Sequence, residues 1–328
     1  MMPQVWRPGD VNRWLRLPLL VPAVLYRVGA TVRALRHQRA APALPHPAIV
    51  VGNLTVGGTG KTPVVGWLVS ALAAQGVRAG VIVHPDAADE GAWHAAHPGC
   101  PIVIADRDRR RGGLSAAAQG AEVLVFDDGL QHPGLRGAFR MALVAAEQEE
   151  LSPWPVPAGP WRSARRLLDH ADVIVVTRKT ASTEIATGLA RRLGADSGRP
   201  TARVHLRLVG FRPLHGGALV PPERLQGAKV LAVAGVADPM PFRAQLEALG
   251  ATVRLRAFPD HHPYHPRDIV SLLQESGPTD YVVVTSKDAV KLRTHWPAQP
   301  DPLVAELAVE WEGGVQPEPS AAGCRWSA

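Results

Sequence analysis

A glycine-rich turn near the start of the chain has the residue types that bind phosphate groups. Residues 49–65 read IVVGNLTVGGTGKTPVV, which is an apolar β-branched run, then the turn, then residues compatible with a helix. Glycines allow consecutive backbone N–H groups to converge on phosphate oxygens at a helix N-terminus. Lys61 would bring its charge to the outer phosphates, and Thr62 would offer its hydroxyl to Mg²⁺. We predict an ATP phosphate site at Thr55, Val56, Gly57, Gly58, Thr59, Gly60, Lys61 and Thr62.

The turn departs from the strict phosphate-loop pattern at its first position, where Thr55 stands in place of glycine. The additional Gly57 supplies flexibility instead. The alternative interpretation is a glycine-rich turn that carries a solvated lysine. The strand-like run before the turn and the Gly-Lys-Thr triplet together favour the phosphate site.

A second stretch of the sequence supplies carboxylates. Residues 123–132 read VLVFDDGLQH, which predicts a buried strand that ends at two aspartates. The carboxyl ends of parallel strands are where ligands of such folds bind, so we predict Asp127 as the acidic partner of Mg²⁺. Asp128 would assist the metal or the substrate, and His132 in the same stretch is a supporting candidate. A solvated turn is the alternative.

Composition restricts the classes of protein to consider. The 328 residues are 46% hydrophobic, which is enough for about two globular domains. Only two cysteines occur, so a disulfide framework is not expected. The net charge of +7 favours an anionic partner, either nucleic acid or an acidic membrane surface. The chain has no aromatic-plus-basic RNA-binding signature and no zinc-finger spacing, so we predict no nucleic-acid partner.

The N-terminal segment favours the membrane surface. Residues 14–26 read WLRLPLLVPAVLY and are flanked by arginines on both sides. The run is too short to span a bilayer and is interrupted by Arg16, Pro18 and Pro22. It is similar to the first part of a signal peptide, yet the phosphate loop follows too soon for an exported domain. We predict an interfacial segment on anionic lipid, with a helix packed on the domain as the alternative.

The elements that must position these residues alternate between apolar strand-like runs and helical stretches. This alternation predicts an α/β fold, with a phosphate-loop NTPase-like core, a mostly parallel sheet and a second, smaller α/β lobe. We predict a membrane-surface segment at residues 1–40, the kinase-like core at 41–210, the smaller lobe at 211–300 and a poorly ordered tail at 301–328. The tail prediction depends on its content of Pro, Gly and Ala.

An ordered set of motifs resembles the tetraacyldisaccharide 4'-kinases, the lipid A 4'-kinase family. In chain order the motifs are VGNLTVGGTGKTP, FDDGLQH, PAGPWR, AGVADPMPF, FPDHHPY and TSKDAVK. The resemblance extends from the N-terminal arginine-rich segment to about Lys291. It implies ATP-dependent phosphorylation of the 4'-hydroxyl of an acylated glucosamine disaccharide phosphate lipid. The implied protein is peripheral and works at the cytoplasmic face of the inner membrane.

The resemblance also implies catalytic residues. The family's base is the aspartate of a Gly-Asp-Glu-Pro motif, which corresponds to Asp89 in the stretch ADEG. Its histidine partner corresponds to His261, the first histidine of DHHPY. Arg162 corresponds to the arginine of the family's Arg-Glu pair and is a supporting candidate.

The sequence departs from the family on the acceptor side. A stretch containing Arg-Gly-Tyr-Gly is missing after the second strand, Ser163 replaces a glutamate, and Ser286 replaces another. A catalytically weakened or non-catalytic ATP-binding protein of the membrane surface is therefore one alternative. A phosphate-loop kinase with a different sugar or lipid acceptor is another.

Two further classes have less support. Partition-type ATPases share a similar loop but carry a signature lysine where this chain has Val56. A metal-dependent hydrolase could use His261, His262 and His265, but their spacing does not match a zinc site.

Overall fold

The computed structural model describes most of the chain after the N-terminal segment. The described residues are 44–55, 57–100, 102–130, 132, 134–148, 168, 170–277, 279–314 and 316–326. The predicted membrane-surface segment at 1–40, Val56 and Arg162 lie outside these residues. Within the described ranges, no helix has the length and apolar character that crossing a bilayer requires.

The chain divides into two compact units. The smaller unit is Leu206–Ala308, and the larger unit comprises the described parts of Met2–His205 and Val309–Ala328. From the sequence we predicted these boundaries at residues 210 and 300. We did not predict that the described part of Val309–Ala328 belongs to the same unit as the residues before Leu206.

The larger unit contains a parallel sheet in the strand order β3-β2-β4-β1-β5-β6-β7. Its strands are β1 (Ala48–Asn53), β2 (Ala79–Val83), β3 (Ile102–Ala105), β4 (Val123–Asp127), β5 (Phe139–Ala145), β6 (Val173–Arg178) and the first part of β7 (Thr201–Pro213). Every residue of β1, β2 and β4 is buried. Continuous apolar runs of this kind are typical of parallel strands covered on both faces.

Four α-helices of the larger unit connect these strands among the described residues. They are α1 (Lys61–Ala74), α2 (Ala88–Ala96), α3 (Arg109–Ala118) and α4 (Thr183–Ser197). The carboxylate of Asp108 accepts from the backbone N–H groups at the start of α3, and the hydroxyl of Ser182 does so for α4. Such caps satisfy donors that have no partner inside a helix. A 3₁₀ turn at Ala146–Gln148 follows β5.

The smaller unit has a second parallel arrangement, in the order β11-β10-β8-β9. Its strands are β8 (Lys229–Ala234), β9 (Thr252–Ala257), β10 (Tyr281–Val284) and the first part of β11 (Leu303–Glu312). Its helices are α5 (Met240–Ala248), α6 (Pro266–Ser276) and α7 (Ser286–Leu292), with a 3₁₀ turn at Pro222–Leu225. Hydrophobic clusters around Phe242 and around Tyr264 form its core.

The structure corrects our prediction that residues 301–328 form a poorly ordered tail. The segment contains β11 and an antiparallel hairpin of β12 (Pro317–Ser320) and β13 (Gly323–Trp326). The Gln75 side-chain amide at the end of α1 donates to the Pro319 carbonyl at 2.9 Å. Proline and glycine in this segment therefore shape a hairpin that packs within the larger unit.

Cys100 and Cys324 are not joined by a disulfide bond. Burial raises the pKa of Cys100 to about 11 and that of Cys324 to about 12. Both groups therefore stay protonated near neutral pH.

The contact between β2 and α3 generates a stability prediction. A Cβ at Gly80 would lie 2.8 Å from the Cβ atoms of Ala116 and Ala121, and neither atom can move without its backbone. A Cβ at Gly188 in α4 would meet nothing within 4 Å. We expect Gly80→Ala to lower the free energy of unfolding by about 1–3 kcal/mol through overpacking. The same change at Gly188 should raise it by about 0.5–1 kcal/mol.

Urea denaturation of the two variants and the wild type measures this difference. Gly188→Ala is the matched control, because it makes the same chemical change where space is available. An unfolding midpoint of Gly80→Ala at or above that of the wild type would contradict the packing described here.

Candidate active site

The pairing of β1 with β4 brings the phosphate loop and the acidic pair to one edge of the larger unit's sheet. Val51 lies opposite Asp127 in the parallel register, and the Asp128 N–H donates to the Val51 carbonyl at 2.9 Å. The loop follows β1 and leads into α1, whose first residue is Lys61. The Lys61 Nζ lies 3.1 Å from Asp128 Oδ2. Two motifs that the sequence separates by more than sixty residues are therefore neighbours.

The described part of the loop has the backbone that an anion site requires. Gly57 has φ 121° and Gly60 has φ 82°, conformations that residues with a side chain rarely adopt. Gly60 is the N-cap of α1, and it carries no side chain that could accept from the first N–H groups of the helix. Those N–H groups and the positive end of the helix dipole favour an anion at this end of α1.

The end of β6 fixes the loop through its carbonyl groups. The Thr177 hydroxyl donates to the Thr59 carbonyl at 2.8 Å, and the Lys179 Nζ donates to the Gly58 carbonyl at 2.6 Å. The Glu147 carboxylate in turn accepts from the backbone N–H groups of Lys179 and Thr180. Because a carbonyl and the N–H of the same peptide point in opposite directions, holding the carbonyls also orients the loop's N–H groups.

These β6 contacts were not predicted from the sequence. The signal that could have found them is the polar stretch TRKT, which directly follows the apolar run of β6 at the carboxyl edge of the sheet.

The acidic turn after β4 is held from two directions. Asp127 is buried, and its Oδ2 lies 2.9 Å from Nε2 of His94 on α2. The Arg109 Nη2 donates to the carbonyls of Asp127 at 3.2 Å and of Asp128 at 3.0 Å. Asp128 adopts a positive φ of 65°, which this turn requires. The His94 and Arg109 contacts were also missed by the sequence analysis.

Arg109 is a buried cation beside several acids. Burial lowers its pKa, while the charges of Asp128, Asp127 and Glu90 act in the opposite direction. A guanidinium remains charged under these conditions, so Arg109 offsets part of the negative charge of the acidic turn.

Asp89 lies in the first turn of α2 and is largely buried, with 8% of its surface exposed. Its Oδ1 accepts from the Glu90 backbone N–H at 3.0 Å. The buried residues of α2 are Asp89, Glu90 and His94, so one face of this helix packs inward. His132 follows the acidic turn, and its N–H donates to the Gly129 carbonyl at 2.9 Å.

His261 belongs to the smaller unit, in the loop after β9. It has a positive φ of 58°, and its N–H donates to the Gly235 carbonyl at 3.2 Å. Its side chain is 41% exposed and its Nε2 lies 3.7 Å from Asp260 Oδ2. Asp89 is a residue of the larger unit, so the pairing of Asp89 with His261 stays a prediction.

Three of the recognised motifs meet around Asp288 in the smaller unit. This fully buried carboxylate accepts from the Gly235 N–H at 2.9 Å and from the Thr285 hydroxyl at 2.6 Å. The Lys291 Nζ lies 3.2 Å from its other oxygen. Burial, followed by the neighbouring Asp288 charge, raises the pKa of Tyr264 well above its usual range. The motifs therefore share one buried network, which supports the loop that carries His261.

The histidines of that loop do not form a metal site among the described residues. No group of three or more metal-ligating side chains occurs there. His262 instead lies 2.9 Å from Asp268, at the start of α6.

The family model for tetraacyldisaccharide-1-P 4'-kinase matches residues 15–84 and 83–319. The chain belongs to this family. Tetraacyldisaccharide 4'-kinases that it resembles include those of Aromatoleum aromaticum, 35% identical over 88% of both chains, and Rhodospirillum centenum, 36% identical over 94% of this chain and 92% of the relative. The tetraacyldisaccharide 4'-kinase of Stenotrophomonas maltophilia is 36% identical over 89% of this chain and 88% of its own length.

A solved structure has the same fold as this family member. It is LpxK from Aquifex aeolicus in complex with ATP, with a TM-score of 0.66, 23% identity and coverage of 91% of this chain and 95% of that one. The predicted α/β fold with a phosphate-loop core is thereby confirmed, as is membership of the kinase family.

The two matched pieces of the family model meet at residues 83 and 84. This is the end of β2, where the resemblance described in the sequence analysis implies that an Arg-Gly-Tyr-Gly stretch is missing. Only residues 84–87 connect β2 to α2.

The hydrogen bond from Thr177 to the phosphate loop generates a binding prediction. Thr177→Val keeps the shape of the side chain and removes the hydroxyl that holds the Thr59 carbonyl. We expect ATP to bind about 2–10-fold more weakly, because one hydrogen bond contributes about 0.5–1.5 kcal/mol. Isothermal titration calorimetry with ATP measures the change.

Thr180→Val is the matched control, since Thr180 lies three residues further along the chain, just after β6, and its side chain is exposed. Equal ATP affinity in Thr177→Val and Thr180→Val would show that this contact does not organise the loop.

Proposed function

We propose that this protein transfers the γ-phosphate of ATP to the 4'-hydroxyl of an acylated glucosamine disaccharide, a lipid A precursor. The observation that carries the proposal is the β1–β4 register, which joins the phosphate loop and Lys61 to the acidic turn. Support for the acceptor comes from the names of the relatives, which are tetraacyldisaccharide 4'-kinases. Support for ATP comes from the loop geometry and from the ATP complex of the Aquifex aeolicus protein.

Nucleotide binding would require Lys61 to change partner. Its Nζ now pairs with Asp128, and both side chains are partly exposed. An ion pair of this kind is weak in water, so a nucleotide phosphate with a higher charge can replace it. We infer that Asp128 holds Lys61 beside the loop until ATP arrives.

The residues at this edge suit Mg²⁺. Asp127 and Thr62 are both buried and supply the hard oxygen ligands that this ion prefers. When bound, Mg²⁺ would neutralise charge on the outer phosphates. We propose Asp127 and Thr62 as its protein ligands.

Asp89 is the proposed general base. It would accept the proton of the 4'-hydroxyl while that oxygen bonds to the γ-phosphorus and ADP leaves with the bridging oxygen. Low exposure supports this role, because it keeps a carboxylate away from competing water. We keep His261 as its proposed partner, on the strength of the family motif alone.

The short β2–α2 connection favours a second candidate, a kinase of the same mechanism with a different sugar or lipid acceptor. Loss of the Arg-Gly-Tyr-Gly stretch and Ser163 in place of glutamate both affect the acceptor side of the family pattern. A non-catalytic ATP-binding protein is the outcome if neither acceptor is phosphorylated.

We further propose that the protein works peripherally at the cytoplasmic face of the inner membrane. An acylated acceptor resides in a bilayer, and the sequence of residues 1–40 combines an apolar run with many arginines. Arginines near an anionic surface each contribute about 1 kcal/mol to binding.

A phosphate-transfer assay with radiolabelled ATP and the acylated disaccharide tests the kinase proposal. We expect transfer by the wild type, its loss in Lys61→Ala, and a fall in turnover of about 10²–10⁴-fold in Asp89→Asn. The ATP affinity of Asp89→Asn should stay close to that of the wild type, because Asp89 is not part of the loop.

Asp86→Asn is the matched control, since this aspartate lies in the same segment but its side chain is 70% exposed. Loss of turnover in Asp86→Asn with normal turnover in Asp89→Asn would assign the base to Asp86. ATP binding by the wild type without transfer to the disaccharide would reject the proposed acceptor.

The membrane proposal is tested by sedimentation with anionic liposomes. We expect the double change Arg33→Gln with Arg36→Gln to weaken binding roughly tenfold or more. Raising the salt concentration should weaken wild-type binding as well, because the Debye length is only about 10 Å at 0.1 M.

The exposed Arg191 and Arg192 of α4 provide the control, since changing both to glutamine removes the same charge elsewhere. If the two double variants bind liposomes equally, the N-terminal arginines are not the membrane contact.

A further inference from the structure

His94 and Asp127 form a buried pair that the family motifs do not account for. Both side chains are 0% exposed, and His94 Nε2 lies 2.9 Å from Asp127 Oδ2. His94 is on α2, while Asp127 ends β4. The contact therefore joins the helix of the proposed base to the proposed metal ligand.

The surroundings define the tautomer of His94. Its Nδ1 is buried and has no hydrogen-bond partner among the residues that the structure describes. A hydrogen on Nδ1 would be buried without an acceptor, which is costly. The hydrogen therefore sits on Nε2 and is donated to the Asp127 carboxylate. The ring of Trp93 contacts the imidazole edge-on at 5.2 Å between centroids and restricts its rotation.

Stability alone does not explain this pair. A buried polar pair contributes little net stability, because removing both groups from water costs about as much as their contact returns. Two apolar residues that fill the same volume would be as stable, although a leucine at position 94 alone would leave the buried Asp127 carboxylate without this hydrogen bond. What the imidazole adds is direction, because the terminal torsion of an aspartate is otherwise broad.

We propose that His94 is a positioning residue that orients the Asp127 carboxylate for the divalent metal of the nucleotide complex. Hydrogen bonds to metal-ligating carboxylates typically change metal affinity or activity by about 10–100-fold. This inference rests on the proposed role of Asp127 as a metal ligand.

The tautomer is tested first, in the protein without nucleotide or metal. Long-range ¹H–¹⁵N correlation spectra separate a protonated from an unprotonated imidazole nitrogen, and the missing signals of His94→Gln assign the ring. We expect a protonated Nε2 and an unprotonated Nδ1. The opposite tautomer would overturn the proposal, since Nε2 could not donate to Asp127.

Metal binding is tested by titrating Mn²⁺ into the complex with a non-hydrolysable ATP analogue, followed by electron paramagnetic resonance. His94→Leu should weaken Mn²⁺ binding about 10–100-fold, and His94→Gln should recover part of the loss because its amide can donate. His97→Gln is the control: this histidine is close in sequence, bonds to Ser70 and the Gly66 carbonyl, and stacks on Trp93.

Three outcomes separate the possible failures. Mn²⁺ affinity in His94→Leu within about twofold of the wild type would reject the positioning role. An equal loss in His97→Gln would show that α2 packing, and not the Asp127 bond, is responsible. Unchanged Mn²⁺ binding in Asp127→Asn would instead reject the metal role of Asp127 in the proposed function. If His94→Leu does not fold, two measurements still test whether His94 orients Asp127. They are the imidazole spectra of the wild type and the comparison of Mn²⁺ affinity between His94→Gln and His97→Gln.

Discussion

The parallel pairing of β1 with β4 is the constraint on which the larger unit's site depends. It sets Val51 beside Asp127, so the loop that leaves β1 and the turn that leaves β4 begin at the same level. The Lys61–Asp128 ion pair and the Arg109 contacts follow from that register. A slip of one residue would turn the carboxylate of Asp127 to the other face of the sheet. Burial of every residue in both strands makes such a slip costly.

Supporting contacts surround the loop at the level of the backbone. Thr177 and Lys179 hold carbonyl groups of the loop, and Glu147 holds the segment that carries Lys179. In the smaller unit, Asp288 does the same for the backbone of Gly235. In each case a polar side chain forms a hydrogen bond with a peptide group and orients it. This restricts the backbone of a turn in which glycine would otherwise allow many conformations.

Local sequence patterns predicted the strands, the phosphate loop and the acidic turn, because their signals lie within a few consecutive residues. The apolar runs of β2 and β8 are examples, since burial on both faces leaves an unbroken hydrophobic stretch. The contacts of His94, Arg109 and Thr177 could not be predicted, since each joins segments that only the folded sheet brings together. The hairpin of β12 and β13 was missed for another reason. Its prolines and glycines are typical of disordered segments, and the sequence alone does not show the hydrogen bond from Gln75, at the end of α1, to the Pro319 carbonyl.

The larger unit is made from two lengths of chain that the smaller unit separates. During synthesis the contiguous smaller unit is complete before residues 309–326 have been made. At about 5–20 residues per second, the nascent larger unit waits on the order of ten seconds for its last hairpin. Over that interval the Gln75 side chain at the end of α1 lacks its hydrogen-bond partner at Pro319. A stop codon after residue 308 would therefore remove part of the unit that contains the glycine-rich loop, although it removes nothing near that loop in sequence.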